Sequence, residues 1–292
     1  MKVVVTGAGG QLGQAVVAQL KDDGQTVVSL KRHDADLTNE EQTAELLKKA
    51  APDALVNCAA YTDVDKAESE PQTAYAVNRD GATNLAAIAN DLNARLIHIS
   101  TDFVFDGTNS KPYTEDDTPH PINLYGESKL AGEQEVLQKC PQALVVRTSW
   151  LFSHVGHNFV KTILKLAAEK ETLKVVDDQI GTPTYTVDLA QAISDILDKT
   201  GLNGIIHLAN EGVASWYDLA FGVLDEVNRE GLPCKTRTLT PIPTEDWPTP
   251  AGRPPYSVLS KCKARQYLAT PMPHWRQGLT AAIEKLINSS KT

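Results

Sequence analysis

Thr101, Tyr125 and Lys129 supply a hydroxyl, a phenol and an ammonium, a set that can reduce a carbonyl. Tyr125 and Lys129 stand four apart in Leu124-Tyr125-Gly126-Glu127-Ser128-Lys129, the spacing of neighbours on one helical face. A phenol ordinarily titrates near pKa ~10, and an adjacent cation is the physical means of making it a usable acid at neutral pH. When hydride attacks a ketone, the oxygen becomes an alkoxide that must be stabilised and protonated. Tyr125 is then the proton donor, Lys129 the cation, and Thr101 the hydrogen bond to the oxyanion, with Ser100 the competing hydroxyl. Side chains alternate along a strand, so only one of these two hydroxyls is expected to face the site. A Tyr-x-x-x-Lys pair alone carries little weight, because any amphipathic helix can hold one.

Weight comes from the elements around it. Lys2-Val3-Val4-Val5-Thr6 reads as a buried strand that runs straight into Gly7-Ala8-Gly9-Gly10-Gln11-Leu12-Gly13 and then into a helical pattern. Gly7, Gly10 and Gly13 permit a tight turn and a close approach to a pyrophosphate, whose charge meets free N–H groups at the helix start. The spacing is G-x-x-G-x-x-G, which departs from the commoner G-x-G-x-x-G, although Gly9 also lies two after Gly7. Lys31 and Arg32 follow the second strand, and a basic pair there favours the 2′-phosphate of NADP. Asp34 lies near the ~20-residue offset of an NAD-type acid, so NADPH is expected to be preferred with NADH usable.

Short apolar runs at Val3–Val5, Thr26–Leu30, Ala54–Cys58, Arg95–Ile99 and Ala143–Val146 alternate with helical patterns. Such alternation in units of ~30 residues predicts an α/β fold, a doubly wound parallel sheet of Rossmann type covered on both faces. After Arg147 the pattern loosens into polar and proline-rich loops, and Gly204–Ala209 looks like one more buried strand. Residues 1–150 and 180–210 are therefore expected to form a dinucleotide-binding domain, and 151–179 and 211–292 a smaller, interleaved α/β substrate-binding domain. Trp275–Ile287 has apolar residues at helical spacing and reads as core.

The 292 residues have ordinary globular composition, and a net charge of −9 disfavours a nucleic-acid or anionic-membrane surface. No run approaches the ~20 apolar residues needed to cross a bilayer, so no membrane partner is expected. Cys58, Cys140, Cys234 and Cys262 form no C-x-x-C pair, and His154 and His157 have no acidic or cysteine companion nearby. Neither a metal site nor a disulfide framework is suggested, and a reducing cytoplasm fits.

Taken together, the chain resembles the extended short-chain dehydrogenase/reductases, and within them the reductases of 4-keto nucleotide sugars. The likeness spans nearly the whole chain and rests on Gly10-Gln11-Leu12-Gly13, Val64-Asp65-Lys66-Ala67-Glu68, Ser100–Phe105, Tyr125–Glu133, Arg147-Thr148-Ser149-Trp150 and Arg253-Pro254. It implies reduction of the 4-keto group of dTDP-4-dehydro-β-L-rhamnose to dTDP-L-rhamnose, the last step in making that activated sugar. It puts the catalytic hydroxyl at Thr101, with Tyr125 and Lys129 also touching the cofactor. It places Gly10, Gln11 and Leu12 at the cofactor phosphates, Asp36 and Leu37 near the adenine, and Ala60, Tyr61 and Thr62 beside a ribose. For the substrate it nominates Thr101, Asp102, Trp150, Val64 and Arg253.

Plainer readings stand beside these. Trp150 can be simple core, Arg147 is read as structural, Asp65–Glu68 as a solvated helix face, and Asn78 as a residue that packs or bends a helix. Some family members dimerise through magnesium held by glutamates, one of them two residues after the last motif glycine. Ala15 occupies that position, so a metal-free monomer is expected. Two alternatives compete with the reductase: a non-catalytic NADP-binding regulatory subunit, and a reductase or dehydratase of another nucleotide sugar. Elimination needs an acid and a base after the threonine, and Asp102-Phe103 offers no base. The intact Thr101, Tyr125 and Lys129 argue against a non-catalytic subunit.

Overall fold

In the computed structural model, which describes residues 1–289, the apolar runs become buried parallel strands and the glycine turn links the first of them to its helix. In chain order these are β1 (Lys2–Thr6), α1 (Gln11–Asp22), β2 (Thr26–Leu30), α2 (Glu40–Ala50), β3 (Ala54–Asn57), α3 (Val64–Ala67), α4 (Pro71–Tyr75), α5 (Gly81–Asp91), β4 (Arg95–Thr101), α6 (Leu124–Lys139) and β5 (Leu144–Thr148). A single π-helical turn, Ala76–Asp80, joins α4 to α5. After β6 (Leu151–Phe152), α7 (Phe159–Glu169), β7 (Thr172–Val176), β8 (Ile180–Gly181), β9 (Thr184–Tyr185) and α8 (Thr186–Leu197), strand β10 (Gly204–His207) returns to the first sheet. Then come β11 (Ala214–Ser215), α9 (Trp216–Arg229), β12 (Thr238–Ile242) and α10 (Trp275–Ser289).

The large sheet has the order β10-β5-β4-β3-β1-β2, with all neighbours parallel. Strand β2 lies on one side of β1, and β3, β4 and β5 lie on the other. The sheet therefore changes winding direction at β1, and ligands of such sheets bind in the crevice beyond the carboxyl ends at that point. Alternate residues of each strand feed two cores. Val3, Val5, Val56 and Ile97 pack under α1 and α8, whereas Val4, Leu55, Leu96 and Val145 pack under α5 and α6. In α1, Leu12, Val16 and Leu20 recur every fourth residue and form its buried stripe.

A third core gathers Phe152, Tyr185, Trp275, Leu279 and the inner face of α9. Helix α9 starts on a reciprocal capping box between Ser215 and Asp218, which satisfies two N–H groups at once. The packing departs from the expected boundaries in two places. Residues 180–185 pair with β11 and β6 beside the third core, not with the large sheet. Ala264 and Met272, from a stretch expected to lie elsewhere, return to the core under α1. Both are long-range choices that apolar spacing does not encode.

Candidate active site

Strand ends and helix starts converge on the crevice. The glycine turn leaves β1 with Gly7 at φ +64°, a left-handed backbone that favours glycine. A Cβ on Gly13 would lie 2.2 Å from the Gly7 carbonyl oxygen, so α1 approaches the turn more closely than any side chain allows. No side chain caps α1 at Gly10, which leaves the N–H groups of its first turn open to an anion. The Lys31 stem lies against Gly9 in the same turn. Asp34, the competing acid, is exposed and engaged locally: its Oδ2 accepts the Lys31 N–H at 2.8 Å. These residues fit a dinucleotide with a phosphorylated ribose.

Other residues expected around that ligand are held by local bonds. Asp36 Oδ1 accepts from the Thr38 N–H and hydroxyl, and Leu37 is buried in the α5–α6 core. The Gln11 side chain donates to the His157 carbonyl and accepts from Asn158 Nδ2, which straps the 153–158 loop to the turn. The loop Ala60-Tyr61-Thr62 follows β3 and is pinned by Asn78. Asn78 Oδ1 accepts the Tyr61 N–H at 2.8 Å, and its Nδ2 donates to the Tyr61 carbonyl and to Ser128 Oγ. Asn78 thus serves as a clamp between loop and helix.

Strand β4 ends at Thr101, and α6 begins on Asn123, whose Oδ1 accepts the Gly126 N–H at 2.7 Å. A Cβ on Gly126 would sit 2.2 Å from the Phe103 carbonyl oxygen. The tyrosine-bearing turn of α6 can therefore press directly onto the end of β4. The Tyr125 phenol lies near the Thr101 hydroxyl, which donates to Asp102 Oδ1 at 3.1 Å, and Phe103 meets the Tyr125 ring edge-on at 5.8 Å. Ser100 Oγ, on the opposite side of the strand, is buried with no hydrogen-bond partner among the described residues.

The electrostatics differ from the sequence expectation. Burial pushes the Tyr125 phenol up to about 12, opposed by the nearby Thr101 hydroxyl and reinforced by Asp102. Lys129 does not hydrogen-bond the phenol. Lys129 Nζ instead donates to the Ile99 carbonyl at 2.7 Å and lies 3.4 Å from His98 Nε2. The helical spacing is as predicted, but the lysine stem reaches back to β4. Burial also lowers Lys129 to about 8, against the pull of Glu133 and Cys58.

The nominated substrate residues are spread around the crevice. Asp102 is buried, and its carboxyl is raised to about 7 by burial, against the nearby Ser257 hydroxyl and the Thr101 hydrogen bond. Trp150 adopts φ +46°, rare for a bulky residue, and its ring stacks on Trp216 at 3.7 Å and 2°. Trp216 in turn donates to Gln179 Oε1. Val64 opens α3, half-buried at the loop after β3. Arg253 is committed to Asp65, with Nη1 at 2.9 Å from Oδ1, so Asp65 is a partner and not merely a solvated face. Arg147 is structural as read, paired with Glu133 at 2.7 Å where both are at most 2 % exposed.

Sequence reading missed Trp216, Gln179, Ser257 and His98. Trp216 and Gln179 carry no local motif. His98 did leave a signal: a histidine in a strand buried on both faces must find a partner.

A family model described as RmlD substrate binding domain matches residues 1–288. The chain belongs to the dTDP-4-dehydrorhamnose reductase family. The enzyme of that name from Mycolicibacterium smegmatis is 42% identical over 291 residues, covering 99% of this chain and 87% of that protein. The Escherichia coli K12 reductase is 38% identical, covering 99% of both. A crystal structure of the Bacillus anthracis dTDP-4-dehydrorhamnose reductase in complex with NADP superposes with a TM-score of 0.92 at 37% identity, over 97% of this chain and 99% of that one. A Thermus thermophilus UDP-glucose 4-epimerase with NAD shares the fold alone, with a TM-score of 0.84 at 20% identity over 99% of this chain and all of that one. The chain is thus an oxidoreductase of the short-chain type on an NADP-binding Rossmann fold. No helix of the described residues is long and apolar enough to cross a membrane.

Proposed function

We propose that this chain reduces the 4-keto group of dTDP-4-dehydro-β-L-rhamnose to give dTDP-L-rhamnose, using NADPH. The observation that carries the reading is the Tyr125 phenol set near the Thr101 hydroxyl at the carboxyl end of β4, on the same edge of the sheet as the glycine turn of β1. The dinucleotide, when bound, supplies hydride. Gly7, Gly10, Gly13 and the first turn of α1 hold its phosphates, with Gln11 and Leu12 at the helix start. Lys31 and Arg32 meet the ribose phosphate, while Asp36, Leu37 and Ala60–Thr62 border the adenosine and nicotinamide sides.

Burial keeps Tyr125 protonated at neutral pH, which makes it a proton donor at rest. Its O–H passes a proton to the C4 oxygen as that oxygen gains charge, and Thr101 hydrogen-bonds the same oxygen. Lys129 stabilises the phenolate left behind. Asp102 and the Trp150–Trp216 stack border the sugar, and Arg253, with Val64, faces the nucleotide diphosphate. Phe103 stands where elimination would need a base, which disfavours a dehydratase.

The test is oxidation of NADPH by purified protein in the presence of dTDP-4-dehydro-L-rhamnose. Tyr125→Phe should lower turnover by ~10²–10⁴-fold and leave NADPH affinity within about twofold. Sugar-independent oxidation, or full activity of the variant, refutes the assignment. We also propose a cytoplasmic monomer, consistent with four unpaired thiols. A chelator-sensitive dimer in light scattering would contradict it.

A further inference from the structure

Lys129 lies at the end of a polar row that crosses the sheet. The parallel register sets Thr6 opposite Asn57, and Asn57 opposite His98. Their side chains share the face that α6 covers, and Thr6, Asn57, His98 and Lys129 are each at most 2 % exposed. Groups so buried must pair among themselves, and the direction of each bond can be worked out in turn.

One donor in the row is unambiguous. The Ala59 backbone N–H donates to Asn57 Oδ1 at 3.1 Å, and the Thr6 hydroxyl donates to the same oxygen at 2.7 Å. Oδ1 is thereby fixed as the acceptor, and the amide nitrogen, Nδ2, faces His98 Nδ1 at 2.9 Å. An amide nitrogen only donates, so Nδ1 accepts. A neutral imidazole that accepts at Nδ1 carries its proton on Nε2. Nε2 lies 3.4 Å from Lys129 Nζ, which is itself anchored to the Ile99 carbonyl. Against an ammonium, the Nε2–H confronts a second donor. Against a neutral amine, it meets a lone pair, and every group in the row is satisfied.

We propose that the Thr6–Asn57–His98 row is a positioning device that holds His98 as its Nε2–H tautomer and so disfavours the charged form of Lys129. The functional consequence rests on the reading of Lys129 given above, whereas the tautomer does not. Other groups facing the lysine do not replace this control. Cys58, at the end of β3, is kept a neutral thiol by burial, raised to about 12. Glu133, one turn on along α6, is engaged by Arg147 through both of its oxygens. Tyr125, on the same helix, is held neutral by burial. Burial and the nearby lysine keep His98 itself well below the ordinary histidine range.

The first test is ¹⁵N NMR of wild-type protein labelled at histidine, with ¹³C labelling at the lysine Cε. His98 should show a protonated Nε2 and a bare Nδ1, unchanged between about pH 5.5 and 8.5, and Lys129 should titrate well below ~10.4. An Nδ1–H tautomer, an imidazolium in that range, or an ordinary lysine titration overturns the proposal.

The second test is Asn57→Asp, which replaces the donating amide with an accepting oxygen while leaving acceptors for Thr6 and Ala59. The His98 proton should move to Nδ1, its Nε2 should then accept from Lys129, and the lysine should stay charged to higher pH. Because the charged lysine supports the phenolate, the alkaline limb of kcat/KM should move up by about 1 pH unit. A shifted limb with an unchanged tautomer would assign the effect to added charge alone and overturn the row. So would an inverted tautomer with an unmoved limb. If the substrate assignment were wrong, wild-type activity would be absent at all pH values while the NMR result stood.

Discussion

Asp102→Asn should stabilise this protein at alkaline pH and do nothing for it in acid. The carboxyl is 2 % exposed, its Oδ2 finds no hydrogen-bond partner among the described residues, and burial raises it from 3.8 to about 7. At ~1.4 kcal/mol per pH unit, the folded protein bears a cost of roughly 4 kcal/mol for holding the charged form above pH 7. The sign follows from proton counting. Between about pH 4 and 7 the folded state keeps a proton that the unfolded chain has lost, so stability falls as pH rises through that window. The amide carries no charge and escapes this penalty. It must still house an N–H donor, so a net gain of about 1–3 kcal/mol is expected at pH 8, shrinking to near zero at pH 4. Urea unfolding of both proteins across that range measures it directly. A difference independent of pH would show a steric effect only, and a wild type that gains stability over the variant with rising pH would refute the reasoning.

Further outcomes follow from the packing. Gly13→Ala places a methyl 2.2 Å from the Gly7 carbonyl oxygen, and should destabilise the fold by ~1–3 kcal/mol and weaken NADPH binding by at least about tenfold in calorimetric titration. Arg147→Met strands the Glu133 carboxylate where it is 2 % exposed, and should cost about 3–5 kcal/mol in chemical unfolding, with much of the loss recovered when Glu133→Leu is added. Trp216→Ala removes the stacking partner of Trp150 and should raise KM for the sugar nucleotide by roughly 3–10-fold with kcat little changed, as read from initial rates.

Much of the large sheet was legible because strand and helix periods are local. Lys2–Thr6, Thr26–Leu30 and Ala54–Asn57 each announce themselves within five residues, and the glycine turn says which of them comes first to the ligand. The second body was less legible because its pairings join short segments far apart in the chain, such as Leu151–Phe152 with Thr184–Tyr185. The site shows the same division. Motif spacing placed Thr101 and Tyr125 together, since one ends a strand and the other opens the helix that packs on it. It could not show that Arg253 is held by Asp65, 188 positions away, or that Trp150 lies on Trp216. Those contacts exist only once the topology has folded the chain back on itself.

Lys129 marks where a correct motif led to an incomplete electrostatic picture. Two side chains at i and i+4 share a helical face, but on a helix buried against a sheet, what each one meets is decided by the strand beneath. Here the strand offers the lysine a carbonyl and a histidine. Burial then acts on three ionisable groups around the reacting end of the crevice in one direction, towards neutrality: Tyr125 up to about 12, Asp102 up to about 7 and Lys129 down to about 8. The groups around the reacting carbonyl are buried, so the negative charge that appears on the substrate oxygen during hydride transfer meets hydrogen-bond donors at low dielectric, where each is worth more than in water.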